Sequence, residues 1–443
     1  MSVRELNPRT TLLQRILICC ALLVLLSACG GGTNAQSTPT ATTLQLVTFD
    51  LGIPKAALNS PVVGSVPDTT KFHVIVTFKP NDDVLNRLGT SKVSSTQTTD
   101  GADLANQLGI TNEQYAQVKQ FFGIQGVSLN LSKLHTSLAL DAPASSFAQL
   151  LKTKFVYHEY QGRKFFAPAS DVRLPLAIAT HIQAITGLDN YSLPPQKKSL
   201  KTSLALPLST RTNEAANCAA DPRTLFPQDI AGAYGLKPLY NQGWLGQGTT
   251  IILPEFEAFS QSDLQNYLAC VQFKGKINVV TVNNHVPTIE GGEALLDLEM
   301  VAGLLPAANI VVYQEDPGAQ YEYFWESFYD ILNQIASDYS KVTGPTQISM
   351  SWGQAETHMT IGEVNAIDTQ LRIISQVDHI NTFVASGDCG AYDSTHYPGF
   401  LDTDFPSSDR AVIGVGGTEL AVDQQLNRAQ EIVWSGDPQK YPD

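Results

Sequence analysis

Glu293 and Asp297 stand at i and i+4 in the run Gly291-Gly292-Glu293-Ala294-Leu295-Leu296-Asp297-Leu298-Glu299. On a helix that spacing stacks both carboxylates on one face, within reach of each other. Neighbouring carboxylates do not ionise independently, so one of the two is expected to keep its proton into mildly acidic conditions. Such a pair can act as a general base, the second acid sharing the proton. The same stripe continues to Met300 and Leu304, which predicts that the carboxylates lie on the inward side of the helix. An i, i+4 acid pair is more often a solvated helix face, and it reads as a site only in the company of other groups.

Three further residues supply that company. Glu255 follows the apolar run Thr249–Leu253, and Asp388, in Ser386-Gly387-Asp388-Cys389-Gly390, follows Thr382–Ala385. Taken singly, each is an ordinary turn or cap acid. Trp352, in Ser349-Met350-Ser351-Trp352-Gly353, ends another such run, where an aromatic ring either walls a pocket or fills a core.

The elements that must position these groups alternate in type. Thr249–Leu253, Ile277–Val282, Ile310–Tyr313, Gln347–Ser351, Thr382–Ala385 and Ala411–Val415 read as strands. Ser260–Val271, Gly292–Gly303, Tyr321–Ser337 and Ile361–Gln376 read as the helices between them. That alternation predicts an α/β domain over 218–443 with a doubly wound parallel sheet, whose sites lie at the carboxyl ends of the strands. Residues 44–190 read differently, as an α+β sandwich. They contain a strand at Lys71–Phe78, a helix Thr111–Phe122 opened by a Thr111/Gln114 capping box, short strands near Val127–Asn130 and Phe155–Tyr160, and a helix near Ser145–Leu151. Between the two, 191–217 has little periodicity and carries Lys197, Lys198, Lys201 and Arg211. It reads as a linker, either passive or open to proteolytic processing.

Assembled in this order, the motifs resemble the sedolisin, or serine-carboxyl peptidase, family from Phe72 to Trp434. Phe78-Lys79-Pro80-Asn81-Asp82, Leu108-Gly109-Ile110-Thr111, Phe121-Phe122-Gly123-Ile124 and Gly187-Leu188 resemble its pro-kumamolisin-type activation pro-domain. Ala233-Tyr234-Gly235 with Gly246-Gln247-Gly248 resembles the start of its catalytic domain. Glu293-x-x-x-Asp297-x-Glu299, Gly414-Val415-Gly416-Gly417-Thr418 and Glu431-x-Val433-Trp434 are similar to later landmarks. The resemblance implies a subtilisin-like doubly wound sheet, incomplete at its C-terminal end, behind the pro-domain. It implies acid-acting serine-type endopeptidase chemistry on protein or peptide substrates, with the pro-domain as inhibitor. Glu293 would be the general base and Asp297 its support, Glu255 and Trp352 would extend their network, and Asp388, protonated at working pH, would donate in the oxyanion hole.

Two departures limit those expectations. The family's nucleophile sits in a Gly-Thr-Ser well beyond the Glu-x-Val-Trp landmark, and none follows Trp434 in the nine residues to Asp443. Calcium is implied for the complete family domain, but its loop also lies near that end and is absent here. The 443 residues are therefore expected to be inactive alone. A non-catalytic surface lipoprotein that binds peptides or a partner chain is the alternative, and a solute-binding lipoprotein a weaker one. Cys389 replaces the serine usual beside Asp388, and Asp388 would raise rather than lower its thiol pKa.

At the N-terminus, Ile16–Leu26 is an apolar run behind Arg4, Arg9 and Arg15, too short to span a bilayer. It ends in Leu26-Ser27-Ala28-Cys29, which resembles a lipobox with Cys29 as the lipidated residue, so 1–29 reads as a signal peptide and 30–43 as a tether. These features predict an exported protein held at a membrane by a lipid anchor. Cys218 and Cys270 are candidates for a disulfide, with pairing left open. A net charge of −14 argues against nucleic-acid partners, which demand a basic face.

Overall fold

The computed structural model describes residues 45–90, 101–195, 225–339, 345–392 and 401–434. The expected lipidation at Cys29, the signal peptide and tether, and the linker from 196 onward lie outside them, as does Cys218.

Six parallel strands form the sheet of the second domain. In chain order, its elements are β1 (Thr250–Glu255), α1 (Gln261–Cys270), β2 (Lys276–Thr281), α2 (Glu293–Leu304), β3 (Asn309–Gln314), α3 (Phe324–Tyr339), β4 (Thr346–Met350), α4 (Ile361–Gln376), β5 (Asn381–Ala385) and β6 (Ile413–Val415). Their spatial order is β2-β3-β1-β4-β5-β6, with the chain reversing direction across the sheet at β1. Residues 251–255 of β1 and 310–314 of β3 are all buried, as expected of parallel strands covered on both faces. One face packs Ile251, Leu253, Ile310 and Val312 against Leu264 of α1 and Leu298 and Ala302 of α2. The other packs Ile252, Val311, Tyr313, Ile348 and Val384 against Phe328, Ile331 and Ile335 of α3 and Ile367, Leu371 and Ile374 of α4.

The first domain is antiparallel. Its central sheet runs Ser128–Leu131, Ser137–Pro143, Lys71–Phe78, Ile182–Thr186 in spatial order. Phe72 lies within 6.1 Å, ring to ring, of Phe147, Phe155 and Phe166 at the centre of that domain's core. The helix Asn112–Phe122 opens with Thr111 accepting from the Gln114 N–H while the Gln114 side chain accepts from the Thr111 N–H.

The two domains share a buried seam. Ile75 and Ala184 of the first-domain sheet pack against Tyr329 of α3 and Ala366 of α4. His73 bridges Asp141 of its own domain at 2.6 Å and Asp330 of α3 at 3.0 Å. The first residues assigned to the linker are held against the second domain. Ser192 bonds Glu363, the Leu193 N–H donates to the His358 carbonyl at 3.0 Å, and Trp325 Nε1 donates to the Leu193 carbonyl at 2.9 Å.

Candidate active site

α2 carries the acid pair, and its register differs from the sequence expectation by one position. Its buried stripe is Ala294, Leu298, Ala302 and Gly303. Met300 and Leu304 are only half-buried, and so are Glu293 and Asp297. Leu298 and Ala302 pack on β1 and β3 and Gly303 lies against Pro227 and Tyr267, whereas the acids lie along the border of these contacts. A carboxylate there stays partly hydrated, which a fully inward position would deny it.

Glu255, the last residue of β1, is fully buried beside this border. Its Oε2 accepts from Trp352 Nε1 at 3.1 Å. Its Oε1 finds no amide, amine or hydroxyl donor, and neither does Asp297 Oδ2. The two carboxyls also interact with each other, a hydrogen bond with Glu255 favouring the ionised form of Asp297. Asp297 Oδ1 accepts from Ser351 Oγ at 3.0 Å. Ser351 thus ties the strand-end loop of β4 to α2, while the ring of its neighbour Trp352 lies 5.3 Å from Phe256 and 6.0 Å from Phe324.

Burial drives the electrostatics. Desolvation, then the neighbouring charge of Asp297, pushes Glu255 well above the usual carboxylate range. Glu293 is pushed up to about 7 by desolvation and by the charges of Asp297, Glu257 and Asp388, against a hydrogen bond from Ser351. Asp297 is pushed up to about 6 by desolvation, the hydrogen bonds from Ser351 and Glu255 working the other way. The spacing of the i, i+4 pair predicts one carboxyl that holds its proton in mild acid. That understates the network, because three linked carboxyls do so.

Asp388 lies exposed in the turn after β5, close enough for its charge to act on Glu293. Its backbone carbonyl accepts from Trp434 Nε1 at 2.9 Å, so the Glu431-x-Val433-Trp434 landmark packs back onto the Asp388 turn. The neighbouring Cys389 is a free, buried thiol. Cys270 is disulfide-bonded. All five residues singled out in sequence, Glu255, Glu293, Asp297, Trp352 and Asp388, therefore converge at the carboxyl-end side of β1, β4 and β5.

Ser351 and Glu257 belong to the same cluster and were not assigned there from sequence. Glu257 is fully buried, accepting from the Glu293 N–H at 3.1 Å and from the Tyr321 hydroxyl at 2.7 Å. The repeat Glu255-Phe256-Glu257 at a strand end was the available signal, since alternation sends both carboxylates toward one side. Gly-Thr-Ser does occur once in the chain, as Gly89-Thr90-Ser91, which the sequence reading passed over. Gly89 and Thr90 end a first-domain helix, Asp82–Thr90, and Ser91 lies outside the described residues. Among the described residues, no group of three or more His, Cys, Asp or Glu is arranged to hold a metal ion, and no helix is long and apolar enough to cross a membrane.

Residues 63–191 match the family model of the pro-kumamolisin activation domain. Over 347 residues, 74% of this chain, the sequence is 25% identical to kumamolisin of Bacillus sp. (strain MN-32) and covers 58% of that protein. Among solved structures, a Pseudomonas sedolisin (serine-carboxyl proteinase), complexed with two molecules of pseudo-iodotyrostatin, aligns at 22% identity and a TM-score of 0.39, over 47% of this chain and 58% of that one. The chain thus spans a little under three fifths of the length of the relatives it matches. With its activation domain matched directly and its second domain built on a parallel α/β sheet, the chain is similar to the precursors of the sedolisin family.

Proposed function

We propose that this chain is the precursor of an acid-acting serine-type endopeptidase and that the cluster around Glu293 is its proton-handling machinery. The observation that carries the proposal is the linked set Trp352–Glu255–Asp297–Ser351 behind a half-buried Glu293 raised to about 7. On this proposal, a serine hydroxyl attacks the peptide carbonyl while Glu293 takes its proton. Asp297 and Glu255 share the proton behind it, and Trp352 fixes Glu255. Asp388, in its protonated form, donates to the oxyanion of the tetrahedral intermediate. Glu293 then returns the proton to the leaving amine, and water completes the cycle by attacking the acyl-enzyme with Glu293 again as base.

No Gly-Thr-Ser follows Trp434 within these 443 residues, so the proposal includes that they do not cleave peptides unaided. The calcium implied for the complete domain has no assigned ligands here, and no step is routed through it. The first domain, docked on α3 and α4, acts as the inhibitor, and Cys29 carries a lipid that anchors the exported protein at a membrane. Acidic hydrolysis of an internally quenched peptide tests the proposal. The gene product carrying a Gly-Thr-Ser beyond Trp434 is expected to cleave it and its Glu293→Gln variant to lose about 10³-fold in rate. Cleavage unaffected by that substitution would refute the assignment.

A further inference from the structure

Glu257 has a place in this cluster that no motif assigns to it. Beyond β1 the chain runs alongside residues 289–290, the Ala258 N–H donating to the Ile289 carbonyl at 2.9 Å and Ala258 pairing with Glu290 in a parallel bridge. That path sets the Glu257 carboxylate against the first turn of α2. Gly292, the residue before that turn, offers no side-chain cap of its own. Glu257 Oε2 accepts from the Glu293 N–H, and Oε1 accepts from the Tyr321 hydroxyl.

The surroundings are built for this carboxylate. A β-carbon on Gly291 would sit 1.8 Å from Oε2 and 2.1 Å from the carboxyl carbon. Gly291 does not have the left-handed backbone that calls for glycine, and the atoms nearest the space it leaves are those of the Glu257 carboxylate. Tyr321 is held at φ +59°, an unfavourable backbone for a bulky side chain, while its hydroxyl reaches Glu257. A local Ser, Thr, Asp or Asn at position 292 would cap the helix more simply. A fully buried carboxylate from another strand is a costly substitute unless its charge is used.

We propose that Glu257 is a positioning residue for Glu293: it anchors the first turn of α2 through the Glu293 amide and sets the field in which the Glu293 carboxyl exchanges its proton. The proposal rests on Glu293 being the base of the peptidase. The charged and titratable groups facing Glu293 are Asp297 on its own helix, Glu255 and Glu257 at the end of β1, and Asp388 after β5, with Ser351 as hydroxyl donor. Of these, Glu257 is the one bonded to its backbone.

The test is a carbon-13 NMR titration of glutamate side-chain carboxyls in the 443-residue chain, with the Glu293 signal identified by its loss in Glu293→Gln. Glu257→Gln keeps the shape and an oxygen for the Glu293 amide but removes the charge. The Glu293 midpoint is expected to fall by about one pH unit, with the Glu293 amide resonance little changed. An unmoved midpoint in a folded Glu257→Gln variant overturns the proposal. Should that variant fail to fold, Gly291→Ala displaces the same carboxylate, and its Glu293 midpoint is expected to move by a comparable amount; no movement there overturns the proposal equally. The titration requires no turnover, so a peptidase assignment that fails on hydrolysis is told apart from a Glu257 assignment that fails on the titration.

Discussion

Trp352 Nε1 donates to Glu255 and Ser351 Oγ donates to Asp297, so each of these two interacting carboxyls has one oxygen held by a separate neutral donor. A buried acid held this way passes a change at one end to the other. The half-buried Glu293 sits one helical turn from Asp297 and inherits its state through charge and through Ser351.

Trp352→Phe removes the indole donor while preserving an aromatic ring. A buried carboxyl oxygen then loses its partner, at a cost of about 1–3 kcal/mol. The lost bond favours ionised Glu255, so the loss is expected to be larger at pH 8 than at pH 5. Urea unfolding at the two pH values checks this; equal losses would show that the indole serves packing alone.

Stability should fall as the solution becomes more alkaline. Glu293 at about 7, Asp297 at about 6, and Asp189 and Glu326 at about 8 all lie above their unfolded values near 4. A raised carboxyl pKa stabilises the folded state fully below the unfolded pKa, and that contribution is lost as pH rises through the folded one. The window is therefore about pH 4 to 8. Thermal melts across it are expected to drop steadily, and Glu293→Gln to flatten the part between 4.5 and 7, worth at most about 3 kcal/mol. A melting temperature flat across the window in the parent chain would contradict the burial of these acids.

The seam between the domains holds an ion pair whose contribution is also lost as pH rises, but over a higher window, from about 6.5 to about 11. Hydrogen bonds and charges from Asp141 and Asp330 outweigh desolvation and push His73 up to about 11, so it stays charged across the physiological range. His73→Ala leaves Asp330, which is nearly buried, without its cation, at a cost of about 3 kcal/mol. The first domain is expected to be cut faster in limited proteolysis, and a second change, Asp330→Asn, to restore much of its protection. No recovery in the double variant would mean that the pair is not what joins the domains.

Much of this could be read from the residue pattern, for identifiable reasons. α4 has the bounds expected, and the strand Lys71–Phe78 likewise, because a capping box and strict alternation mark them locally. The convergence of Glu255, Glu293, Asp297, Trp352 and Asp388 was legible because a doubly wound sheet gathers its strand ends on one side. The side of α2 that faces the sheet was misjudged by one residue, since Ala294 and Gly303 bury as effectively as larger side chains in a close helix contact. Several first-domain strands, Ser137–Pro143 and Arg163–Pro168 among them, were passed over, and Gly-Thr-Ser at 89–91 with them. Glu257 stayed hidden because its partners are a backbone N–H and a tyrosine far along the chain.

Phe383, Ile413 and Val415 share the sheet face on which α1 and α2 cover Ile251, Leu253 and their neighbours, yet each is more than a third exposed. Ile413→Thr and Val415→Thr are accordingly expected to change stability by less than about 0.5 kcal/mol each, as surface substitutions do. Losses above 2 kcal/mol in denaturant unfolding would show that something covers this face.

Peptide hydrolysis at pH 4–5 tests the central assignment most directly, comparing the 443-residue chain with the product of the reading frame continued past the Asp443 codon. The expected result is no turnover by the 443 residues and turnover by a product bearing Gly-Thr-Ser, falling about 10³-fold with Glu293→Gln. Turnover by the 443-residue chain alone, or turnover indifferent to Glu293, would contradict it, and a frame that supplies no such serine would favour a non-catalytic, peptide-binding surface protein instead.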